Sequence, residues 1–290
     1  VSEQAGHLEI VSVSGLATVQ DAGRLGFMDQ GVPPGGALCT ERLARANRAV
    51  GNAPGAAVIE AFGPLVVTAR GGPLTLFANG SVVRMKADEE VRLGKPPGER
   101  IIHVAVAGGF DVPVHLGGRG TLLVARLGGL DGRALRRGDR LPIGAADRLA
   151  KAEVLPEPPH EGSIRVIVGP DHFSAEALEV LQRATFLVSP SSDRVGMRLD
   201  GPPIPRTGGD EGRSLPMVRG AIQVPASGAP IVLGPDHPTT GGYPVIATVI
   251  RADLGRIEGR PARTEVRFSV VTLEQSREAY RATSRLYFGC

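Results

Sequence analysis

Short apolar runs recur along this chain at close intervals, and almost every one is closed by Gly, Pro or Asn. In the first half they fall at 8–13, 17–19, 57–61, 65–69, 74–78, 82–85, 101–106 and 121–124. In the second half they fall at 164–168, 186–188, 195–199, 221–224, 231–233, 245–250 and 266–271. Runs this short, separated by turn formers rather than by helices, predict a mainly β chain built as sandwiches or barrels, not alternating βαβ units. The 40 Gly and 24 Pro, about a fifth of the chain, are spread between the runs, as many tight turns require. Three segments break the rhythm and predict helices. These are 40–50, with Thr40 as N-cap and Gly51 and Asn52 as the stop, 174–183 capped by Ser174, and 273–285.

With 290 residues and 42% hydrophobic content the chain can bury two cores, although aromatics are 4% and Trp is absent, so the cores are Val, Leu, Ile and Ala. A Pro-rich, charged stretch at 151–162 reads as a linker. It divides an N-terminal domain, 1–150, from a C-terminal one, 163–290. Both halves carry an early helix and an Asp–Arg turn, Asp21 with Arg24 and Asp193 with Arg194, which predicts two similar small β-rich domains.

Several function classes find little support. Net charge is +3, basic residues are scattered among acids, and none interleave with aromatics as a nucleic-acid face would. No apolar stretch approaches the ~20 residues of a membrane span, and without a charged-apolar-small leader the chain reads as cytoplasmic. Cys39 and Cys290 form no CxxC pattern, no His or carboxylate cluster suggests a metal, and Cys39 reads as a small buried residue. The glycine loops at 108–111 and 116–121 match neither a phosphate loop nor a dinucleotide fingerprint and read as turns, with Arg119 the residue to watch. No Ser-His-Asp set stands out. Met85-Lys86 lacks the second Met of a biotin-carrier hairpin, so Lys86 reads as an exposed loop lysine.

The segment 236–244 (Asp-His-Pro-Thr-Thr-Gly-Gly-Tyr-Pro) is the strongest candidate site. It places a carboxylate, hydroxyls, a phenol and a Gly pair between two apolar runs, more polar function than a turn needs. Gly241 and Gly242 let backbone N–H groups approach a ligand. Asp236 and His237, adjacent in an extended segment, point apart and do not pair. Arg24, with Gln20 and Asp21 beside it, and Arg194 each offer a planar fork for a carboxylate or oxyanion, or else pin a turn.

Seven ordered blocks carry a family resemblance: 18–26 (TVQDAGRLG), 35–38 (GGAL), Ala46 and Asn47 with 50–52 (VGN), 105–112 (AVAGGFDV), 128–130 (GGL) with 138–141 (GDRL), 220–225 (GAIQVP) and 239–244 (TTGGYP). Together they resemble the family of the 5-oxoprolinase C subunit, also called KipA, allophanate hydrolase subunit 2 or the biotin-dependent carboxyltransferase A/B domain, over residues 8–275. The resemblance implies two cyclophilin-like β-barrel domains. It implies ATP-dependent opening of 5-oxoproline to glutamate, with ATP handled by the complex, alongside a KipI-like B component and a LamB/YcsF-like A component. It also leaves open a biotin-dependent carboxyltransferase acting on urea and a non-catalytic regulator that binds a KipI-like partner. On this reading Asp236 and Thr240 are the catalytic candidates, and Gln20, Arg24, Arg194, Gln223, Thr239, Gly241, Gly242 and Tyr243 bind substrate. The chain departs from the family pattern at Cys39, Gly118, Gly120 and Leu215, where polar side chains are usual.

Overall fold

The computed structural model describes residues 6–95, 98–145, 151–159, 161–206 and 214–289. The outer residues of the expected N-terminal domain (1–5, 146–150), His160 of the expected linker and Cys290 lie outside them. The chain divides into two compact units: 1–25 with 35–158, and 26–34 with 159–290.

The first unit contains β1 (His7–Val13), β2 (Ala17–Gln20), α1 (Thr40–Ala49), β3 (Val58–Ala61), β4 (Leu65–Arg70), β5 (Leu74–Ala78), β6 (Ser81–Met85), β7 (Glu90–Leu93), β8 (Ile102–Val106) and β9 (Arg140–Pro142). They form a four-stranded sheet, β7-β4-β1-β9, and a five-stranded sheet, β2-β3-β8-β5-β6. Leu8, Ile10, Val19, Ile59, Val67, Leu76 and Val104 lie in one buried cluster between them. Each such side chain contributes about 1.5–3 kcal/mol by leaving water. α1 covers the outer face of the five-stranded sheet through Leu43, Ala46 and Ala49, packed on Phe77 and Ala105. Strands β7 and β9 escape the apolar-run reading because they are sheet edges with charged Glu90, Arg92 and Arg140 exposed, the pattern that keeps edges from pairing with other chains.

The second unit contains β10 (Ile164–Val168), α2 (Ala175–Arg183), β11 (Phe186–Val188), β12 (Gly196–Asp200), β13 (Leu215–Pro216), β14 (Ala221–Gln223), β15 (Ile231–Leu233), β16 (Thr240–Gly241), β17 (Val245–Val249), α3 (Leu254–Glu258), β18 (Glu265–Val266), β19 (Phe268–Val270) and α4 (Leu273–Tyr287). Eight of these strands form one sheet in the order β18-β11-β12-β15-β14-β17-β10-β19. Its two edge strands are consecutive in the chain, parted only by Arg267, with β18 pairing β11 and β19 pairing β10. One run therefore crosses the seam, and the sheet curls into a nearly closed barrel around Ile164, Phe186, Leu199, Ile222 and Ile246. The expected strand at 266–271 is this seam, divided at Arg267.

Three expectations need correction. Thr40 is the first residue of α1 rather than its cap. Cys39 is the N-cap, in extended conformation, and its carbonyl accepts the first helical bond, from Leu43 N at 3.0 Å. The apolar run 121–124 is not a strand. After Thr121 N bonds Val19 O, Leu123–Ala125 tightens into a 3-10 turn that Arg126 ends in left-handed conformation (φ 49°). Leu122 of this run is buried while Val124 is 82% exposed, so apolarity alone misread it. Residues 151–158 group with the first unit and strap over α1 instead of running as a bare linker. Glu153 N bonds Arg48 O, Arg45 Nε bonds Leu155 O at 2.8 Å, and the Glu157 carboxylate accepts from Arg42 and Arg45.

Candidate active site

In the first unit the Asp21 turn organises segments far apart in sequence. Asp21 Oδ1 accepts from Gly23 N at 2.8 Å and Oδ2 from Arg119 N at 2.5 Å, which ties the turn to the 115–121 loop. Arg24 is 1% exposed. Its guanidinium donates to the Gly120 carbonyl and, more weakly, to that of His115 at 3.4 Å. Arg24 thus fixes the loop from inside. Gln20 is fully buried, and its amide nitrogen donates to Thr18 Oγ1 and Thr121 O, both at 3.0 Å. Its Oε1 is buried with no partner among the described residues.

Glycines make this convergence possible. A Cβ on Gly36 would sit 2.9 Å from Gly23 N, and one on Gly129 would overlap Thr121 Oγ1 at 1.9 Å, each at positive φ. Two asparagines lock the next wall. Asn47 Nδ2 donates to Ala56 O at 2.8 Å, while Asn52 donates to Asn47 Oδ1 and Val106 O and accepts from Gly108 N at 3.0 Å.

The walls so fixed enclose a cavity of about 290 Å³ lined by Asp21, Gly55–Ala57, Gly108–Asp111, Val114, Gly117, Arg119 and Gly144. That is at the small end for ligand sites, suited to a small metabolite. Five of the twelve lining residues are glycines, which leaves backbone as the wall at those points, and the ionic groups are Asp21, Asp111 and Arg119. The sequence pattern marked these glycine loops as turns, which they are. It did not show that they share one cavity, because long-range bonds, those of Asp21, Arg24 and Asn52 among them, bring them together.

In the second unit Arg194 and Asp236, 4% and 8% exposed, form a paired-bond bridge, with Nε to Oδ2 at 2.8 Å and Nη2 to Oδ1 at 3.0 Å. Asp193 closes the preceding turn by accepting from Val195 and Gly196 N–H groups, as Asp21 does in the first unit. His237 is fully buried, and its Nδ1 donates to the Pro238 carbonyl at 2.8 Å. Its Nε2 has no partner among the described residues. Burial pushes this imidazole below its ordinary pKa, with Arg219 adding to the effect, against the opposing Pro238 bond and Asp236 charge. Asp236 and His237 take separate partners, as their spacing predicts.

Beyond His237 the loop emerges. Thr240 and Gly241 pair with Leu215 and Pro216 in a two-stranded ribbon. Thr240, Gly242 and Tyr243 are exposed, and Thr239 is partly so. Gln223 lies under the ribbon, its amide against Met217 Sδ at 3.2 Å and Tyr243 O at 3.4 Å. Gly241 lies close against it: a Cβ there would stand 2.9 Å from Gln223 Nε2 and displace the amide. The structure therefore assembles Gln223 with Gly241 and Tyr243, joins Arg194 to Asp236, and places Gln20 and Arg24 in the other unit. Lys86 is exposed at the end of β6, and Cys39 is buried with its thiol pushed well above its ordinary pKa by burial.

The first unit is thus two sheets about one core and the second a nearly closed barrel. Residues 30–270 match the family described as carboxyltransferase domain, subdomain A and B, and the chain belongs to that family. It is 36% identical to the 5-oxoprolinase C subunit of Escherichia coli over 97% of this chain and 96% of that one. It is 31% identical to the 5-oxoprolinase C subunit of Haemophilus influenzae, over 94% of each. The urea amidolyase of Lachancea kluyveri is 28% identical over 93% of this chain, which spans 17% of that protein. Among solved structures, the Kluyveromyces lactis urea amidolyase superposes with a TM-score of 0.89 at 22% identity, over 98% of this chain and 20% of that one.

Proposed function

We propose that this chain is the C subunit of an ATP-dependent 5-oxoprolinase, opening 5-oxoproline to glutamate with a KipI-like B component and a LamB/YcsF-like A component. The observation that carries the reading is its end-to-end match to proteins named as the C subunit of 5-oxoprolinase, whereas it matches only a fraction of each urea amidolyase. The cavity of the first unit suits the substrate in size and character: small, glycine-walled, with carboxylates and an arginine around it. A cyclic amide needs an acceptor for its N–H, a role Asp111 can fill, and a donor for its carbonyl, a role the N–H of the exposed Gly117 can fill.

In the second unit Thr240 is the hydroxyl open to a small amide or to a partner protein, with Thr239, Gly241, Gly242 and Tyr243 around it. Asp236 acts there through Arg194, holding the loop, rather than by taking a proton. ATP enters through the complex. Biotin belongs only to the second reading, carboxyl transfer to urea, which the family membership and the urea amidolyase relatives support. The cytoplasm is the proposed compartment; among the described residues no helix is long and apolar enough to cross a membrane.

The test is glutamate formation from 5-oxoproline and ATP by the reconstituted three-component complex. Thr240→Ala lowering turnover at least about tenfold, the usual scale for a lost polar contact to substrate, supports the loop assignment. Unchanged turnover removes Thr240 from the site.

A further inference from the structure

The arginine of the first-unit cavity has one side of its guanidinium in use and one side open. Arg119 donates through Nη1 to the Val112 carbonyl, and the same nitrogen stands 3.1 Å from Asp111 Oδ1. Its Nε and Nη2 have no partner among the described residues, and the side chain is 33% exposed where it lines the cavity. Nε and Nη2 form the planar edge whose two parallel N–H groups match the two oxygens of a carboxylate.

This protein uses that edge repeatedly. Arg194 holds Asp236 with Nε and Nη2, Arg165 holds Asp253 with the same pair at 3.0 and 2.7 Å, and Arg219 holds Glu258 likewise. In each case the carboxylate comes from the chain itself. At Arg119 the described residues supply none to that edge. The arginine is nevertheless held in place, by its Nη1 bond to Val112 O and by its backbone N–H on Asp21. A guanidinium fixed through one nitrogen, with its paired edge open beside a glycine-walled cavity, is preorganised for a ligand carboxylate.

We infer that Arg119 binds the carboxylate of the substrate in the first-unit cavity, and that the site takes small molecules carrying a carboxylate beside an amide. The cavity of about 290 Å³ accommodates one such molecule. Gly117, beside which a Cβ would meet nothing within 4 Å, leaves backbone open to its amide end. The carboxylate assignment stands on the geometry of Arg119, while the identity of the amide rests on the 5-oxoprolinase reading.

Two experiments separate these claims. In the reconstituted complex, Arg119→Gln is expected to raise KM for 5-oxoproline about 10- to 100-fold, the scale of a lost charge-assisted bond, with kcat changed little. Inhibition by pyrrolidin-2-one, the same lactam without a carboxylate, is expected to stay as in the wild type. Arg119→Lys, which keeps the charge but not the planar edge, is expected to fall between. Wild-type turnover with an unchanged KM in Arg119→Gln overturns the inference and leaves the 5-oxoprolinase reading intact. If the wild-type complex does not turn over 5-oxoproline, that reading fails, and the carboxylate claim is decided by binding. Acetate and glutamate are then titrated into the full chain while the amide NMR signals of Gly108, Gly109 and Gly117 are followed. Shifts present in the wild type and lost in Arg119→Gln support it; no shift with either ligand overturns it.

Discussion

Replacing Asp236 by Ala should damage the fold of the second unit before it damages chemistry. The carboxylate and its partner Arg194 are 8% and 4% exposed, joined by bonds of 2.8 and 3.0 Å. Removing one member of such a pair strands a buried charge, at about 3–5 kcal/mol. For a unit of this size each kcal/mol moves the midpoint by roughly 2–4 °C, so the second-unit transition should drop by roughly 6–20 °C. Differential scanning calorimetry on the whole chain is the assay, because two units need not unfold as one. Replacing both residues, Arg194→Leu with Asp236→Leu, should recover much of the loss, with a coupling energy of at least about 2 kcal/mol. Turnover of Asp236→Ala, measured well below its lowered midpoint, should remain within a few-fold of wild type. A variant that keeps its melting profile and loses activity would refute this reasoning and return Asp236 to the role of a catalytic base.

A Cβ on Gly120 would lie 2.9 Å from Asp21 Oδ1 and 3.0 Å from Gln20 Oε1, the buried acceptor that has no partner among the described residues. Gly120→Ala should therefore destabilise the first unit, and Gly120→Ser should do so by about 1 kcal/mol less, because its hydroxyl can donate to Gln20; equal urea midpoints for the two variants would contradict this. Stability should also fall with acid in two windows. His237, held below its ordinary pKa by burial, is stable neutral, so its contribution is complete above about pH 6.5 and is lost as pH falls below that value. Asp253 is also buried, which opposes ionisation, yet the bonds from Arg165 and the charge of Arg256 hold its pKa below the usual carboxylate value. Its contribution is present above about pH 4 and is lost below it. Unfolding free energy followed against pH should lose the upper slope in His237→Gln, and the lower slope should become shallower in Asp253→Asn, the remainder coming from carboxylates such as Asp139 that are also held below their usual value; slopes unchanged in both variants would contradict the assignments.

Much of the fold was legible because its strands obey local rules. Leu74–Ala78 and Ile231–Leu233 are apolar runs with turn formers on both sides, and Ser174 caps α2 by accepting from Ala177 N at 3.2 Å. What escaped was decided by tertiary position. The strands β7 and β9 are polar because they lie at the two edges of their sheet, with no further strand beyond them among the described residues, and the ribbon of Thr240 and Gly241 exists only through its pairing with Leu215 and Pro216. The candidate residues followed the same division. Their types were visible in the sequence, but their commitments were not. That Arg24 is spent on carbonyls, Arg194 on Asp236, and Arg119 only on one side depends on partners from distant segments. A pattern reading sees a planar cation in all three.

The most direct test of the account is the reaction itself. The chain is combined with its purified KipI-like and LamB/YcsF-like components, and glutamate released from 5-oxoproline is measured with and without ATP and with each protein omitted in turn. Glutamate is expected only when ATP and all three proteins are present. Release that does not depend on this chain, or a complete mixture that leaves 5-oxoproline intact yet carboxylates urea from carboxybiotin, would contradict it.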